Sequence, residues 1–247
     1  MSSGNTVTKA VLLAAGRGKR LGHLTDHLPK PMVPVQGKPV IEHIIVGLRN
    51  EGITNFLLVV GYMAEALERY FGNGKPWGVH IEYRVQEIPN GTGAALLEGR
   101  EFSQGEPILA SYGDILTDHR HYKDLLEDYA SAPCAAVIGI NPMEDPSAGA
   151  AVYRKGRRII RVVEKPPPGT ANSRWNVAGI SVFGPLIWPA LAALKLSPRG
   201  EYELTDAISA LIDSGEEVRA HELNGFWSDI GTPEALAEAE RDWKGRY

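Results

Sequence analysis

Four basic side chains cluster near the start of the chain: Arg17, Lys19 and Arg20 in a glycine-rich stretch, and Lys30 between Pro29 and Pro31. The apolar run Lys9 to Ala15 feeds directly into them through Gly16. Glycines at 16 and 18 would let backbone N–H groups come close to phosphate oxygens. Arg20 can fork onto two oxygens, and Lys30 adds a point charge. The flanking prolines restrict the backbone on either side of Lys30 and pre-aim its ammonium. Together these residues suggest a cradle for a nucleoside triphosphate. Any one base alone would be read as a solvated surface charge; the whole pattern argues against that.

Two better-known phosphate loops do not fit. The dinucleotide fingerprint fails because Leu21 stands where a third Gly or Ala is needed. The Walker A loop fails because no Gly-Lys-Ser/Thr is present. The other residues that could do chemistry are carboxylates. Asp114 follows Gly113 at the carboxyl end of a strand-like run, where open α/β sheets place ligands. Asp229 lies between Trp227-Ser and Ile230-Gly. His119 and His121 lack a third ligand nearby and read as solvated loop residues rather than a metal site.

The elements that must hold these residues alternate. Lys9–Ala15 and 55–60 read as buried strands, and 80–85 as a half-exposed one. Helices are expected from Pro39 to about Glu51, from Met63 to Phe71, and from Thr92, as N-cap, to Arg100. Pro107–Tyr112 is a further strand. This βαβ series predicts a mostly parallel sheet with helices on both faces. Beyond about Ala135 the segments 135–140, 149–153, 159–164 and 177–183 are strand-like. Helices return at 185–193, 204–214 and 233–241. The middle reads as a small β layer added to the same domain, closing the substrate cleft from the other side.

The bulk composition sets limits. The 247 residues can bury a full core, and 43% hydrophobic with 23% charged is ordinary for a globular chain. A net charge of -4 does not favour nucleic acid or an anionic membrane as partner. The single cysteine, Cys134, excludes an intrachain disulfide and reads as a buried small hydrophobe. The first residues lack the apolar core of a signal peptide, and no apolar run is long enough to span a bilayer. A cytoplasmic protein is expected.

The segments Leu13-Ala-Ala-Gly-Arg-Gly-Lys-Arg-Leu, Pro29-Lys-Pro-Met-Val-Pro-Val and Gly37-Lys-Pro resemble the sugar-1-phosphate nucleotidyltransferases, also called nucleotide-sugar pyrophosphorylases. Gln86 with Gly91-Thr-Gly-Ala-Ala-Leu, Tyr112-Gly-Asp-Ile, Glu164-Lys-Pro, Val177-Ala-Gly-Ile, Arg199-Gly-Glu-Tyr-Glu-Leu-Thr-Asp and Trp227-Ser-Asp-Ile-Gly-Thr-Pro-Glu follow in that family's order along nearly the whole chain. The resemblance implies an α/β fold: a mixed, mainly parallel Rossmann-like sheet flanked by helices, with a small β layer over the sugar site. It implies one domain, with residues 9–134 binding nucleotide, 135–230 binding sugar phosphate and 231–247 forming a C-terminal helix. Some relatives carry a left-handed β-helix acetyltransferase domain. The chain ends soon after the Asp229 motif, so acetyl transfer is not expected.

The implied reaction joins a sugar-1-phosphate to an NTP and releases pyrophosphate, in carbohydrate biosynthesis. Asp114 and Asp229 would hold Mg²⁺, whose preference for hard oxygen ligands suits carboxylates and phosphates. Arg20 and Lys30 would stabilise charge on the triphosphate, beside Ala14, Ala15, Gly16 and Gly18. Gln86 and Gly91, with Thr92, would read the base, and UTP or dTTP is favoured. Lys165 would meet the sugar-linked phosphate and Glu164 the sugar hydroxyls. Glu164 has an alternative as an ion-pair partner of Lys165. Gly149 matches a glycine that lets sugar approach backbone, although Ala148 replaces the family's usual Tyr. Val177 stands where many members have Asn; the preceding Asn176 is a candidate substitute. Glu201 is a further sugar-site candidate or a cap for the helix from Leu204.

Rival readings are transfer to phosphocholine, with Trp175 and Tyr202 as walls for a cationic acceptor, a non-catalytic nucleotide-sugar-binding subunit, and a dinucleotide-dependent oxidoreductase. Relatives are often dimers or tetramers, which leaves a homo-oligomer open.

Overall fold

The structure, a computed structural model, describes residues 6–245. The first residues of the segment examined for a signal peptide, and the last two of the expected C-terminal helix region, lie outside the described residues. Along the chain come β1 (Lys9–Ala14), β2 (Pro34–Val35), β3 (Lys38–Pro39), α1 (Val40–Asn50), β4 (Asn55–Val60), α2 (Ala64–Phe71) and β5 (His80–Val85). Then follow α3 (Thr92–Leu97), α4 (Arg100–Ser103), β6 (Ile108–Tyr112), β7 (Ile115–Thr117) and α5 (Arg120–Ser131). The remainder is β8 (Ala136–Pro142), β9 (Ala150–Lys155), β10 (Arg158–Glu164), β11 (Trp175–Phe183), α6 (Ile187–Ala192), α7 (Leu204–Asp213), β12 (Val218–Glu222), β13 (Trp227–Asp229) and α8 (Pro233–Asp242).

The chain divides into two compact units built from interleaved segments. One comprises Thr8–Pro89, Ser111–Lys123 and Gly225–Tyr247; the other comprises Met1–Val7, Asn90–Ala110 and Asp124–Asn224.

In the first unit β5, β4 and β1 are parallel neighbours, with β1 in register with β4 from Lys9↔Asn55 to Ala14↔Val60. β1 and β4 are both apolar runs, as strands covered on two faces must be. Helix α1 is buried from Val40 to Leu48. Its start is one residue later than expected, because Pro39 keeps an extended conformation outside the helix. A short antiparallel ladder pairs β13 with β7 and sets Asp229 opposite Ile115. Thr232 caps α8, its Oγ1 accepting from the Ala235 N–H at 3.2 Å.

In the second unit the strand order is β6, β11, β8, β12, β10, β9. β12 runs parallel to β8, whereas β11–β8, β10–β12 and β10–β9 are antiparallel. β9 also pairs back onto β11 through Asn176↔Ala151, so five strands close on themselves. The strands expected as an added layer are thus hydrogen-bonded members of this sheet.

Several elements were not legible. Helix α5 takes in His121, read as a loop residue, and a following stretch to which no element was assigned; Tyr122, Leu125 and Tyr129 form its buried stripe among charged residues. His119 and His121 are accordingly buried, not solvated. His121 Nδ1 lies 2.6 Å from Thr117 Oγ1, and the His119 ring packs 5.5 Å from that of Trp243. Strand β12 was hidden by its polar residues; Arg219 is buried there by pairing with Asp128 at 3.2 Å. Cys134 is half-buried rather than buried, with its thiol on Ala136 O and its pKa pushed up by that burial. Among the described residues no helix is long and apolar enough to cross a membrane.

Candidate active site

The glycine-rich turn after β1 and the segment carrying Lys30 are built against each other. Gly18 has φ +67, and a Cβ there would lie 2.8 Å from the Lys30 Cβ, so only glycine suits both the backbone and the space. Thr25 Oγ1 donates to Gly18 O at 3.2 Å and Leu21 N to the same oxygen at 3.0 Å, closing the turn. Lys30 opens a short 3₁₀ turn between Pro29 and Pro31 and is buried to 9% exposure.

The Lys30 ammonium donates to both candidate metal carboxylates. It hydrogen-bonds Asp114 Oδ2, and Asp229 Oδ1 lies 2.9 Å away. Arg20 Nη2 is 3.7 Å from Asp229 Oδ2 and is largely exposed. Asp114 is held by its loop: Gly113 N donates to Leu13 O at 2.9 Å, and Ile230 N donates to Asp114 O at 3.0 Å. The second bond ties together the two acidic turns, which lie far apart in the sequence. Gly231 keeps the space beside them open, since a Cβ there would approach Arg20 Nη2 and Asp229 Oδ1 to 2.9 and 3.0 Å.

The electrostatics follow from that crowding. Burial pulls the Lys30 pKa down, but the two facing carboxylates outweigh it and hold the ammonium above its usual range. Burial, reinforced by the negative charge of Asp229, pushes Asp114 above the usual carboxylate range against the pull of Lys30. Two cations and two carboxylates thus meet around one point, and among the described residues no third acidic, histidine or cysteine ligand joins them.

Ala14 ends β1 and Ala15 follows it into this turn; Ala15 O crowds Gly61, whose Cβ would be only 2.9 Å away. Gln86 stands just past β5, its N–H on Val60 O at 2.8 Å. Arg17 stacks over the Tyr62 ring at 5.0 Å, a contact the sequence did not announce. Gly16 is exposed, and the side chain of Lys19 lies outside the described residues.

A second cluster lies in the other unit. Gly91, at φ +119, precedes α3 and takes the cap position expected of Thr92. Its missing Cβ makes room for Tyr202 O, which would otherwise be 2.4 Å away. Thr92 Oγ1 instead accepts from Leu204 N at 3.3 Å. Glu164 ends β10, opposite Ala150. Its partners are Thr205 Oγ1 at 3.1 Å and Arg199 at 3.4 Å, rather than the adjacent Lys165. Burial, with nearby Glu203, pushes the Glu164 pKa up. Arg199 also reaches Glu203 at 2.9 Å and Glu201 at 3.6 Å. Glu203, not Glu201, stands at the N-terminus of α7, without a side-chain cap bond. Arg199 and Thr205 lie within the Arg199-Gly-Glu-Tyr-Glu-Leu-Thr-Asp segment, but nothing in that segment alone assigns them to Glu164.

Lys165 is exposed and holds a left-handed backbone at φ +39, uncommon for a residue with a Cβ. Its N–H donates to Gly149 O at 2.8 Å. Asn176 is buried at 4% exposure beneath Gly149. Its Oδ1 accepts from Ala150 N at 2.9 Å, and its Nδ2 donates to Asn141 Oδ1 at 3.1 Å and to Val177 O at 2.8 Å. Val177 is half-buried. Trp175 carries the Arg154 guanidinium 4.5 Å from its ring centroid, which places a cation of the protein itself on the indole considered as a wall for a cationic acceptor.

Comparison with known proteins adds the family context. The family model described as Nucleotidyl transferase matches residues 9–245. The chain is 33% identical over 235 residues to the low-salt glycan biosynthesis nucleotidyltransferase Agl11 of Haloferax volcanii, covering 94% of this chain. It is 32% identical over 233 residues to a glucose-1-phosphate thymidylyltransferase of Streptomyces griseus, again covering 94% of this chain. It spans 65% of the length of each of these two relatives. A solved Bacillus anthracis structure, assigned as a glucose-1-phosphate thymidylyltransferase in complex with sucrose, superposes with a TM-score of 0.86 at 28% identity over 94% of both chains.

Proposed function

Because the chain belongs to the nucleotidyl transferase family, we propose that it transfers a nucleotidyl group from an NTP to a sugar-1-phosphate. A sugar-phosphate oxygen attacks the α-phosphorus, the bond from that phosphorus to the α,β-bridging oxygen breaks, and pyrophosphate leaves. Atoms balance without a covalent protein intermediate. Catalysis then rests on positioning and neutralising two polyanions.

The observation that carries this reading is the Lys30 ammonium shared by Asp114 and Asp229, with Arg20 beside them. Arg20 and Lys30 orient the triphosphate and take up the negative charge that develops on the departing pyrophosphate. Asp114 and Asp229 fit Mg²⁺: two hard carboxylates leave the other positions to water and phosphate oxygens. When bound, that ion would supply Lewis-acid stabilisation of phosphate charge. In the other unit, Lys165 binds the sugar-linked phosphate. Glu164, held by Thr205 and Arg199, accepts hydrogen bonds from sugar hydroxyls. Gln86 and Gly91 address the base. The Streptomyces griseus relative, a thymidylyltransferase, supports a pyrimidine nucleotide.

The test is pyrophosphate release with Mg²⁺ across NTPs and sugar-1-phosphates, with phosphocholine included. Asp114→Asn and Asp229→Asn should each cut turnover by at least about 10²-fold while leaving the unfolding transition cooperative. Wild-type-like rates in both variants would remove the carboxylates from the mechanism. Release with phosphocholine alone would replace the acceptor.

A further inference from the structure

At the end of the β9–β10 ladder away from Glu164 and Lys165, the hairpin turns through Gly156 in a strongly basic stretch. Arg154, Lys155, Arg157, Arg158 and Arg161 fall there without an acidic residue between 153 and 161, in a chain of net charge -4. Some of that charge is already used. Arg157 pairs with Asp128, Arg154 reaches Glu222 at 2.6 Å, and Arg158 donates to Gly215 O at 3.3 Å. Arg161 lies over the Tyr153 ring at 5.0 Å. Arg174, on the neighbouring loop, makes no ion pair among the described residues and is exposed.

That loop is fixed along β9. Ser173 Oγ donates to Val152 O at 2.5 Å and accepts from Trp175 N at 3.1 Å. Between the loop and the hairpin lies a groove of about 570 Å³, lined by Tyr153, Arg154, Ile160, Asn172, Arg174 and Trp175, among others. Its volume falls within the range of small-molecule sites. The Trp175 indole carries the Arg154 guanidinium at 4.5 Å and that of Arg174 at 5.7 Å. The Arg154 guanidinium is ordered by that indole, by Gly156 O, which accepts from Nη1 at 3.0 Å, and by Glu222 Oε1, which accepts from Nη2 at 2.6 Å; three of its five N–H groups are left, and the exposed Arg174 adds its own fork. Such N–H forks match phosphate oxygens.

We propose that this groove is an accessory binding site for a phosphate monoester, its dianion held by Arg174 and Arg154 and its carbon skeleton lying against Ile160 and Tyr153. The groove is separate from the sugar cluster: Arg154 is four residues along β9 from Ala150, which faces Glu164, so roughly 13–14 Å at strand spacing. It is joined to that cluster through β11, where the residue after Trp175 is the buried Asn176. A nucleoside monophosphate and a sugar phosphate share the required chemistry, and the probes separate them.

Binding is read without turnover, so the outcome is independent of the reaction proposed above. UMP, glucose 6-phosphate and inorganic phosphate are titrated by equilibrium dialysis and tryptophan fluorescence into wild-type protein, Lys30→Ala, Lys165→Ala and Arg174→Ala. One ester should saturate a site that Lys30→Ala and Lys165→Ala leave unchanged and that Arg174→Ala weakens at least about tenfold. The ester that saturates identifies the source. The proposal is overturned by any of three results: no saturation by either ester at roughly 1 mM, equal affinity in Arg174→Ala, or affinity for the esters no greater than for inorganic phosphate.

Discussion

Gly149→Ala is the sharpest probe of how the sugar cluster is built. A Cβ at 149 would stand 2.1 Å from Asn176 Oδ1, and the side chain it meets is buried. The Asn176 amide must therefore turn or withdraw. Doing so strands the Ala150 N–H, now bonded at 2.9 Å, and the buried Asn141 Oδ1, now bonded at 3.1 Å. Leaving a buried polar group unsatisfied costs about 1–3 kcal/mol. Two such groups, partly re-paired, give an expected loss of about 3 kcal/mol. For a chain of this size that corresponds to a Tm lower by roughly 6–12 °C. Urea unfolding and thermal melts measure it directly. The cause is isolated by repeating the substitution in Asn176→Ala, where nothing remains to collide with. The two changes should then be non-additive, with a coupling energy of about 2 kcal/mol. Additive losses, or a Gly149→Ala protein as stable as wild type, would refute the wedge. Because Lys165 N is bonded to Gly149 O, the same variant should raise the KM for the sugar phosphate more than that for the NTP.

Other consequences concern the first unit. Gly231→Ala would place a methyl carbon 2.9 Å from Arg20 Nη2 and 3.2 Å from Lys30 Nζ. Displacing charges in that cluster should lower turnover by about 10²-fold with little change in Tm; unchanged kinetics would show that the space beside Asp229 is not used. His119 is held down to about 4, mainly by burial and secondarily by neighbouring His43, with Asp118 opposing. Its folded pKa lies below the unfolded value of about 6.5, so its neutral state supports the fold fully above that pH. The contribution shrinks as pH falls from about 6.5 towards 4, by up to ~3 kcal/mol. Urea midpoints at neutral and acidic pH should show a shallower pH dependence in His119→Leu; parallel curves would exclude His119 as the source.

Much of the fold was readable because it follows from local pattern. The unbroken apolar runs of β1 and β4 identify strands covered on both faces, and the glycines at 16 and 18 announce a tight turn after β1; that Lys30 packs on Gly18 came only from the structure. The pairing of Asp114 with Asp229 was available only as a resemblance, since nothing in either local sequence says that Ile230 N will bond Asp114 O. Helix α5 escaped because its buried stripe, Tyr122, Leu125 and Tyr129, is thin among charged residues. β12 escaped because its buried arginine looks like a surface residue until Asp128 arrives from another element.

The sequence by itself determined the residue types: bases in a glycine turn, two separate acidic turns, and a Glu-Lys pair at a strand end. Local sterics and charge chemistry suffice for those. Tertiary structure alone decided the partners. It put Lys30 between two carboxylates, turned Glu164 from its neighbour Lys165 to Thr205 and Arg199, and buried Asn176 against Gly149. Hydrogen bonds and ion pairs act over a few ångströms of space, and chain folding sets which groups lie within that reach.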